Sequence, residues 1–114
     1  MNVEPSQMMS RLRLEDGVTQ DDLPFMERTL TQLFNQIERF DPSMVDISVR
    51  IKDRGRPGMH TSLELHVRGL PSMIGVSDLT ETKDALNDAE AKVLAQLRGN
   101  VGRRAERRPR QPQA

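Results

Sequence analysis

The sequence contains no cysteine, tryptophan or tyrosine, and only three phenylalanines. Without cysteine, the chain can form neither a disulfide nor a thiolate metal site, so we expect a reducing compartment. With so few aromatic rings, a nucleic-acid surface would have to depend on charge rather than on base stacking. No apolar run approaches the roughly 20 residues that span a bilayer, and the N-terminal segment lacks the pattern of a signal peptide. These absences predict a soluble, cytoplasmic protein with no membrane partner.

Sequence patterns for catalysis and cofactor binding are missing as well. There is no cysteine nucleophile and no glycine-rich loop of the P-loop or dinucleotide type. The two histidines, His60 and His66, are predicted at a strand entrance and on a polar strand face, and a metal site would need further ligands that no pattern indicates. We interpret both histidines as solvated surface residues. The sequence therefore predicts no enzymatic activity, no metal, no cofactor and no small-molecule substrate.

The first half of the chain predicts one strand and one helix. Leu12 and Leu14 alternate with charged residues, which predicts a strand over residues 8–15. A helix follows and runs to about Phe40, because the Asp41-Pro42 pair cannot continue it. The apolar residues of this helix recur at spacings of three and four and predict its buried face: Met26, Leu30, Leu33, Phe34 and Ile37.

The second half predicts three strands and a second helix. Val45, Ile47, Val49 and Ile51 alternate with polar residues in a strand over residues 44–52, and residues 53–59 form the turn of a hairpin. The return strand carries Leu63, Leu65 and Val67, and residues 69–77 contain an irregular or edge strand. The last helix begins near Asp78 or Thr80, and its predicted buried residues are Ala85, Leu86, Ala89, Val93 and Leu97.

These elements predict an α+β fold of the order strand-helix-strand-strand-strand-helix. Because each helix has a single apolar stripe and the sheet has one apolar face, the economical arrangement is a two-layer sandwich with both helices on one face of a four-stranded sheet. We expect residues 1–7 to be a flexible N-terminus and residues 8–100 to form one domain. Residues 101–114 lack apolar periodicity and predict a basic, disordered tail.

The net charge is zero, but it is unevenly distributed along the chain. Residues 98–114 hold six arginines and one glutamate, a net +5, so residues 1–97 carry −5. Such a chain approaches a polyanion with its basic end first. Because arginine presents a planar fork of donors that suits phosphate, we predict RNA contacts at the cations on the polar faces and in the tail, namely Arg28, Arg39, Arg50, Lys52, Arg54, Lys92, Arg98, Arg103, Arg104, Arg107 and Arg108.

Two segments resemble the ribosome hibernation promoting factor family, also called ribosome-associated inhibitor or sigma-54 modulation proteins. Ala85-Leu86-Asn87, followed by Lys92-Val93 and Gln96-Leu97, is similar to the family's second helix. Ile37-Glu38-Arg39-Phe40 is similar to the end of its first helix. The resemblance covers roughly residues 8–105, and the chain looks like a short form without the family's second domain.

The resemblance implies a non-catalytic factor that occupies the messenger and transfer RNA channel of the small ribosomal subunit and keeps idle ribosomes inactive. By position, Arg39, Lys92 and Arg98 would contact ribosomal RNA phosphates, and Arg103 and Arg104 would extend that surface. Two alternatives stay open at this point. The chain could be a protein-interaction module, or a general double-stranded RNA-binding domain that reads the A-form helix by shape.

Overall fold

The computed structural model describes residues 7–110, and the side chains within residues 8–102. This part of the chain forms an α+β fold with a four-stranded mixed, open sheet and three α-helices. In chain order, the elements are β1 (Leu12–Leu14), α1 (Leu23–Thr29), α2 (Thr31–Ile37), β2 (Val45–Lys52), β3 (His60–Val67), β4 (Met73–Ser77) and α3 (Thr82–Arg110). Short 3₁₀ helices precede β1, α1 and β2, at Gln7–Arg11, Gln20–Asp22 and Pro42–Met44.

The four strands lie in the order β1-β2-β3-β4. β1 is parallel to β2, and the other neighbours are antiparallel. The predicted alternation is confirmed, because one face of the sheet is buried through the apolar residues of β2 and β3, while the charged residues of the same strands lie on the open face. The buried apolar side chains of the described residues form one core.

β1 is shorter than the predicted strand over residues 8–15. It has three residues, because Gln7–Arg11 form a 3₁₀ helix in which Arg11 Nε donates to the carbonyl of Val45 at 2.9 Å. After β1, the chain still follows β2, since the amide of Ile51 donates to Asp16 at 2.9 Å. Gly17 is required at this approach: its φ is +83°, and a Cβ there would lie 1.9 Å from the Ile51 carbonyl oxygen.

The helix predicted to run to about Phe40 is two helices, α1 and α2, separated at Leu30. Leu30 has φ −93° and ψ 19°, outside the helical region, and the Thr31 hydroxyl donates to the carbonyls of Glu27 and Arg28 at 3.0 and 2.9 Å. A threonine that bonds back to the preceding turn competes with the backbone ladder. The predicted buried face survives the break, since the five apolar residues that define it are all buried.

The predicted apolar residues of α3 are buried as well, and α3 packs on β3 and β4. The helix approaches β4 closely at Gly75, where a Cβ would lie 2.2 Å from the carbonyl oxygen of Ala89. α3 runs to Arg110, so residues 101–110 of the segment predicted as a disordered tail belong to the helix. Alanine, arginine and glutamate, which dominate residues 103–108, are good helix formers. Residues 1–6 and 111–114 lie outside the described part of the chain.

Candidate nucleic-acid interface

Arg54, a predicted RNA contact, is engaged within the protein. It lies in the turn between β2 and β3, and its two terminal nitrogens donate to the Asp22 carboxylate at 2.9 and 3.0 Å. One of these nitrogens also donates to the carbonyl of Gly17 at 3.0 Å. The hydrogen bond from Arg54 is the main reason that the pKa of Asp22 lies below its usual range. Arg54 thus ties the hairpin turn to the loop before α1, which leaves few donors for a phosphate.

Arg50 and Lys52 lie on the open face of β2, as predicted, and both are exposed. Arg50 forms an ion pair with Glu15, with Nη2 and Oε1 3.3 Å apart. Both side chains are largely exposed, and such pairs stabilise a protein by only about 0–1 kcal/mol, so an RNA phosphate could displace Glu15. Lys52 forms no ion pair with any residue whose side chain is described.

Lys92 protects the edge of the sheet. Its ammonium group donates to the carbonyl of Val76 on β4 at 2.7 Å and lies 3.3 Å from the Asp88 carboxylate, one turn earlier on α3. Gln96, one turn later, donates to the carbonyl of Ile74 at 2.7 Å and accepts from the Ile74 amide at 3.0 Å. Together, the two side chains satisfy backbone groups of an edge strand that would otherwise be open for pairing with another strand.

Asp88 holds Lys92 in this position. The pKa of Asp88 is lowered, first by a hydrogen bond from the Ser77 hydroxyl and then by Lys92. Ser77 is buried at the end of β4 and also accepts the amide of Leu79 through its hydroxyl. The resemblance implied an RNA-contacting role for Lys92, whereas its contacts in the structure are intramolecular.

Arg28 and Arg98 line one cleft between helices that are far apart in sequence. The cleft has a volume of about 460 Å³ and lies between the α1–α2 junction and α3. Both arginines are exposed, and neither has an ion pair within the described part of the chain. Two predicted RNA contacts are therefore brought into one site, and neither is held in an ion pair by a described acid. Its other lining residues are Thr29, Thr31, Gln32, Asn87, Glu90, Ala91 and Leu94.

Glu90, which was not predicted as a site residue, also lines this cleft and is 5% exposed. Its Oε2 accepts the backbone amide of Leu33 at 3.1 Å. That amide has no carbonyl partner in its own helix because the break at Leu30 starts a new helix two residues earlier. Burial raises the pKa of Glu90, and the bond from Leu33 partly opposes this shift. The signal in the sequence was an acid between Ala89 and Val93 in the apolar stripe of α3.

Arg39 lies in the turn after α2 and is exposed. Its guanidinium carbon is 5.3 Å from the ring centre of Phe40, a distance at which the cation and the ring attract each other. The contact orients the side chain without neutralising it, so Arg39 keeps its charge for a partner.

The remaining predicted contacts are the arginines of the basic tail. Arg103, Arg104, Arg107 and Arg108 belong to the helical span of α3, but their side chains lie outside the described residues. The backbone course of α3 nevertheless runs from Arg98 in the cleft directly into this arginine-rich segment.

The histidines are both exposed, and His66 Nδ1 lies 3.2 Å from the Ser72 hydroxyl. Within the described part of the chain, no cluster of histidine, aspartate and glutamate side chains could hold a metal ion. None of the described helices is both long and apolar enough to cross a membrane.

Comparison with known proteins leaves the family of the chain open. A scan against protein-family models gives no match, and a search of curated proteins finds no significant relative.

Proposed function

We propose that this protein is a non-catalytic RNA-binding factor that occupies the messenger and transfer RNA channel of the small ribosomal subunit and keeps idle ribosomes inactive in the cytoplasm. The observation that carries the RNA part is that Arg28 and Arg98 line the same cleft and that neither forms an ion pair with a described acid. The ribosome as the source of that RNA follows from the resemblance of residues 8–105 to hibernation factors.

Charge supports this proposal more than it supports a protein partner. Arg28, Arg39 and Arg98 are exposed and lie on the helices or directly after them, and α3 continues from Arg98 into a segment with five more arginines. In the two-layer arrangement predicted above, these residues would lie on the helical side, away from the open face of the sheet. We therefore assign the RNA contacts to the helical side and regard Arg54 and Lys92 as structural.

Binding would block translation by occupancy, since a folded body held on ribosomal RNA excludes messenger RNA from the same space. Each phosphate that is neutralised releases counterions, so the affinity should fall with salt. If about five phosphates are engaged, a log-log plot of affinity against salt concentration has a slope of roughly −3 to −5.

The test is co-sedimentation of the full chain with purified small ribosomal subunits at increasing salt. The double variant Arg28→Gln, Arg98→Gln should bind roughly 100-fold more weakly, because two charged hydrogen bonds are lost, and its salt slope should be shallower by about 1.5. Truncation after Gly102 should weaken binding further. The matched control is Arg56→Gln, Arg68→Gln, which removes the same charge from two other exposed arginines.

If the control variant loses as much affinity as the cleft variant, net charge alone is responsible and the assignment of the site is wrong. If wild-type protein stays out of the ribosomal fractions even at low salt, the proposed function itself is wrong. Equal affinity for arbitrary RNA duplexes and for subunits would instead favour the general double-stranded RNA-binding domain.

A further inference from the structure

The cleft between the α1–α2 junction and α3 is larger than the pocket beside Arg50 on the open face of the sheet, about 460 Å³ against about 210 Å³. Its volume of about 460 Å³ lies within the usual range for small-ligand sites, about 300–1,000 Å³, and is far too small for a duplex. An occupant of this size is a single small unit, such as one nucleotide.

The distribution of charge in the cleft determines how a ligand is oriented in it. Arg28 and Arg98 are exposed, whereas Glu90 is 5% exposed. From this difference in exposure we infer that the two arginines lie toward the rim of the cleft and Glu90 toward its base. A phosphate is attracted by the two guanidinium groups and repelled by the buried carboxylate. The anionic part of a ligand therefore stays at the rim, and a neutral part enters.

The remaining lining residues suit a nucleobase as that neutral part. Gln32 and Asn87 are exposed, and each amide offers both a donor and an acceptor, as the edge of a base requires. Ala91 and Leu94 add apolar surface to the wall of α3. The cleft contains no aromatic residue, but guanidinium planes also stack on bases, and two are present.

We propose that this cleft binds one unpaired nucleotide, with its phosphate between Arg28 and Arg98 and its base directed toward Glu90. The inference rests on the proposed function when the nucleotide belongs to ribosomal RNA, and it names what that RNA must offer: a base that is splayed out of its helix. A free mononucleotide presents the same chemistry and is the second source.

In the first experiment, the ¹⁵N-labelled full chain is titrated with adenosine monophosphate and with uridine monophosphate, and NMR monitors the amide chemical shifts. Binding should shift the backbone amide of Leu33, which Glu90 holds, and the side-chain amides of Gln32 and Asn87. Ribose phosphate, which lacks the base, should bind at least about ten-fold more weakly, the factor that one lost hydrogen bond of 1.4 kcal/mol represents. Inorganic phosphate should leave the Leu33 amide unchanged.

The variant Ala91→Met tests whether the base occupies the cleft, independently of the phosphate contacts. Residue 91 is exposed on α3, methionine is a good helix former, and the longer side chain fills the cleft without changing its charge. The variant should lose nucleotide binding at least ten-fold while keeping its melting temperature. Ala95→Met, at another exposed position of the same helix that does not line the cleft, is the matched control.

The outcomes separate the two proposals. If the nucleotides cause no shifts in the cleft, or if inorganic phosphate reproduces them all, the inference is overturned, and co-sedimentation with subunits still decides the proposed function. If nucleotides bind and Ala91→Met abolishes this, the inference stands. The nucleotide then belongs to ribosomal RNA if Ala91→Met also weakens binding to subunits. It is a free nucleotide if the wild-type protein does not bind subunits.

Discussion

Replacement of Arg54 by methionine tests the conclusion that this arginine stabilises the protein rather than binding RNA. Arg54 donates to both oxygens of Asp22, at 2.9 and 3.0 Å, and the two side chains are 34% and 16% exposed. A fully exposed pair would contribute about 0.2–1 kcal/mol, and a hydrogen bond to a charged group about 1.5–3 kcal/mol. For this partly screened pair, we expect a coupling energy of about 1.5 kcal/mol.

The measurement is a double-mutant cycle of Arg54→Met and Asp22→Asn. The cycle is needed because Asp22 also accepts the backbone amide of Thr19 at 2.9 Å, and Asp22→Asn alone would alter both contacts. Urea unfolding is followed by far-ultraviolet circular dichroism, since the chain has no tryptophan or tyrosine for fluorescence. Arg54→Met alone should lower the melting temperature by about 5–10 °C.

The pH dependence provides a second check on the same pair. The pKa of Asp22 is lowered in the folded protein. The stability that ionised Asp22 contributes is therefore fully present above its pKa in the unfolded chain, about 3.9, and is lost as the pH falls through its pKa in the folded protein. A coupling energy below about 0.3 kcal/mol near neutral pH, or one that persists at a pH low enough to protonate Asp22, would refute the reasoning. A loss of RNA affinity in folded Arg54→Met protein would contradict its structural role.

Three further substitutions test other contacts. Thr61→Val should stabilise the protein by about 1 kcal/mol, because the buried Thr61 hydroxyl has no hydrogen-bond partner among the described residues, and a lower melting temperature would contradict this. Glu90→Gln should keep the hydrogen bond from the Leu33 amide. Wild-type protein should lose stability as the pH rises through the raised pKa of Glu90, and the variant should not. Equal pH profiles of the two proteins in urea unfolding would contradict this prediction. Gln96→Ala should open the edge of β4, where Ile74 is 49% exposed, and promote self-association in analytical ultracentrifugation, whereas a monomer at matched concentration would exclude edge protection.

The predicted RNA contacts illustrate which properties of a residue follow from the sequence and which do not. For the contacts on strands and helices, exposure followed from periodicity, and all of the described contacts are exposed. Their partners did not follow, because an ion pair such as Arg54 with Asp22 joins residues far apart in the chain. Periodicity assigns a residue to a face but says nothing about which acid lies opposite it.

The cleft is a stronger example of the same limit. Arg28 and Arg98 were predicted separately, on two helices, and only the packing of α3 against the α1–α2 junction brings them to one cavity. Glu90 could have been noticed as an acid in an apolar stripe, but the backbone amide that it satisfies exists only because the first helix is interrupted at Leu30. That interruption was itself unpredicted, since Thr31 is compatible with a continuous helix.

The sequence by itself determined which apolar residues of β2, β3 and the helices are buried, and whether each of these stripes belongs to a strand or to a helix. A period of two in Val45–Lys52 and a period near 3.6 in α3 are local properties of the chain, and burial of the apolar positions follows wherever a core exists. Only the tertiary structure decided that Lys92 protects a sheet edge, that Arg54 is neutralised and that Arg28 shares a cleft with Arg98. Those outcomes depend on distances between segments, and distances between segments are set by packing rather than by the pattern within any one of them.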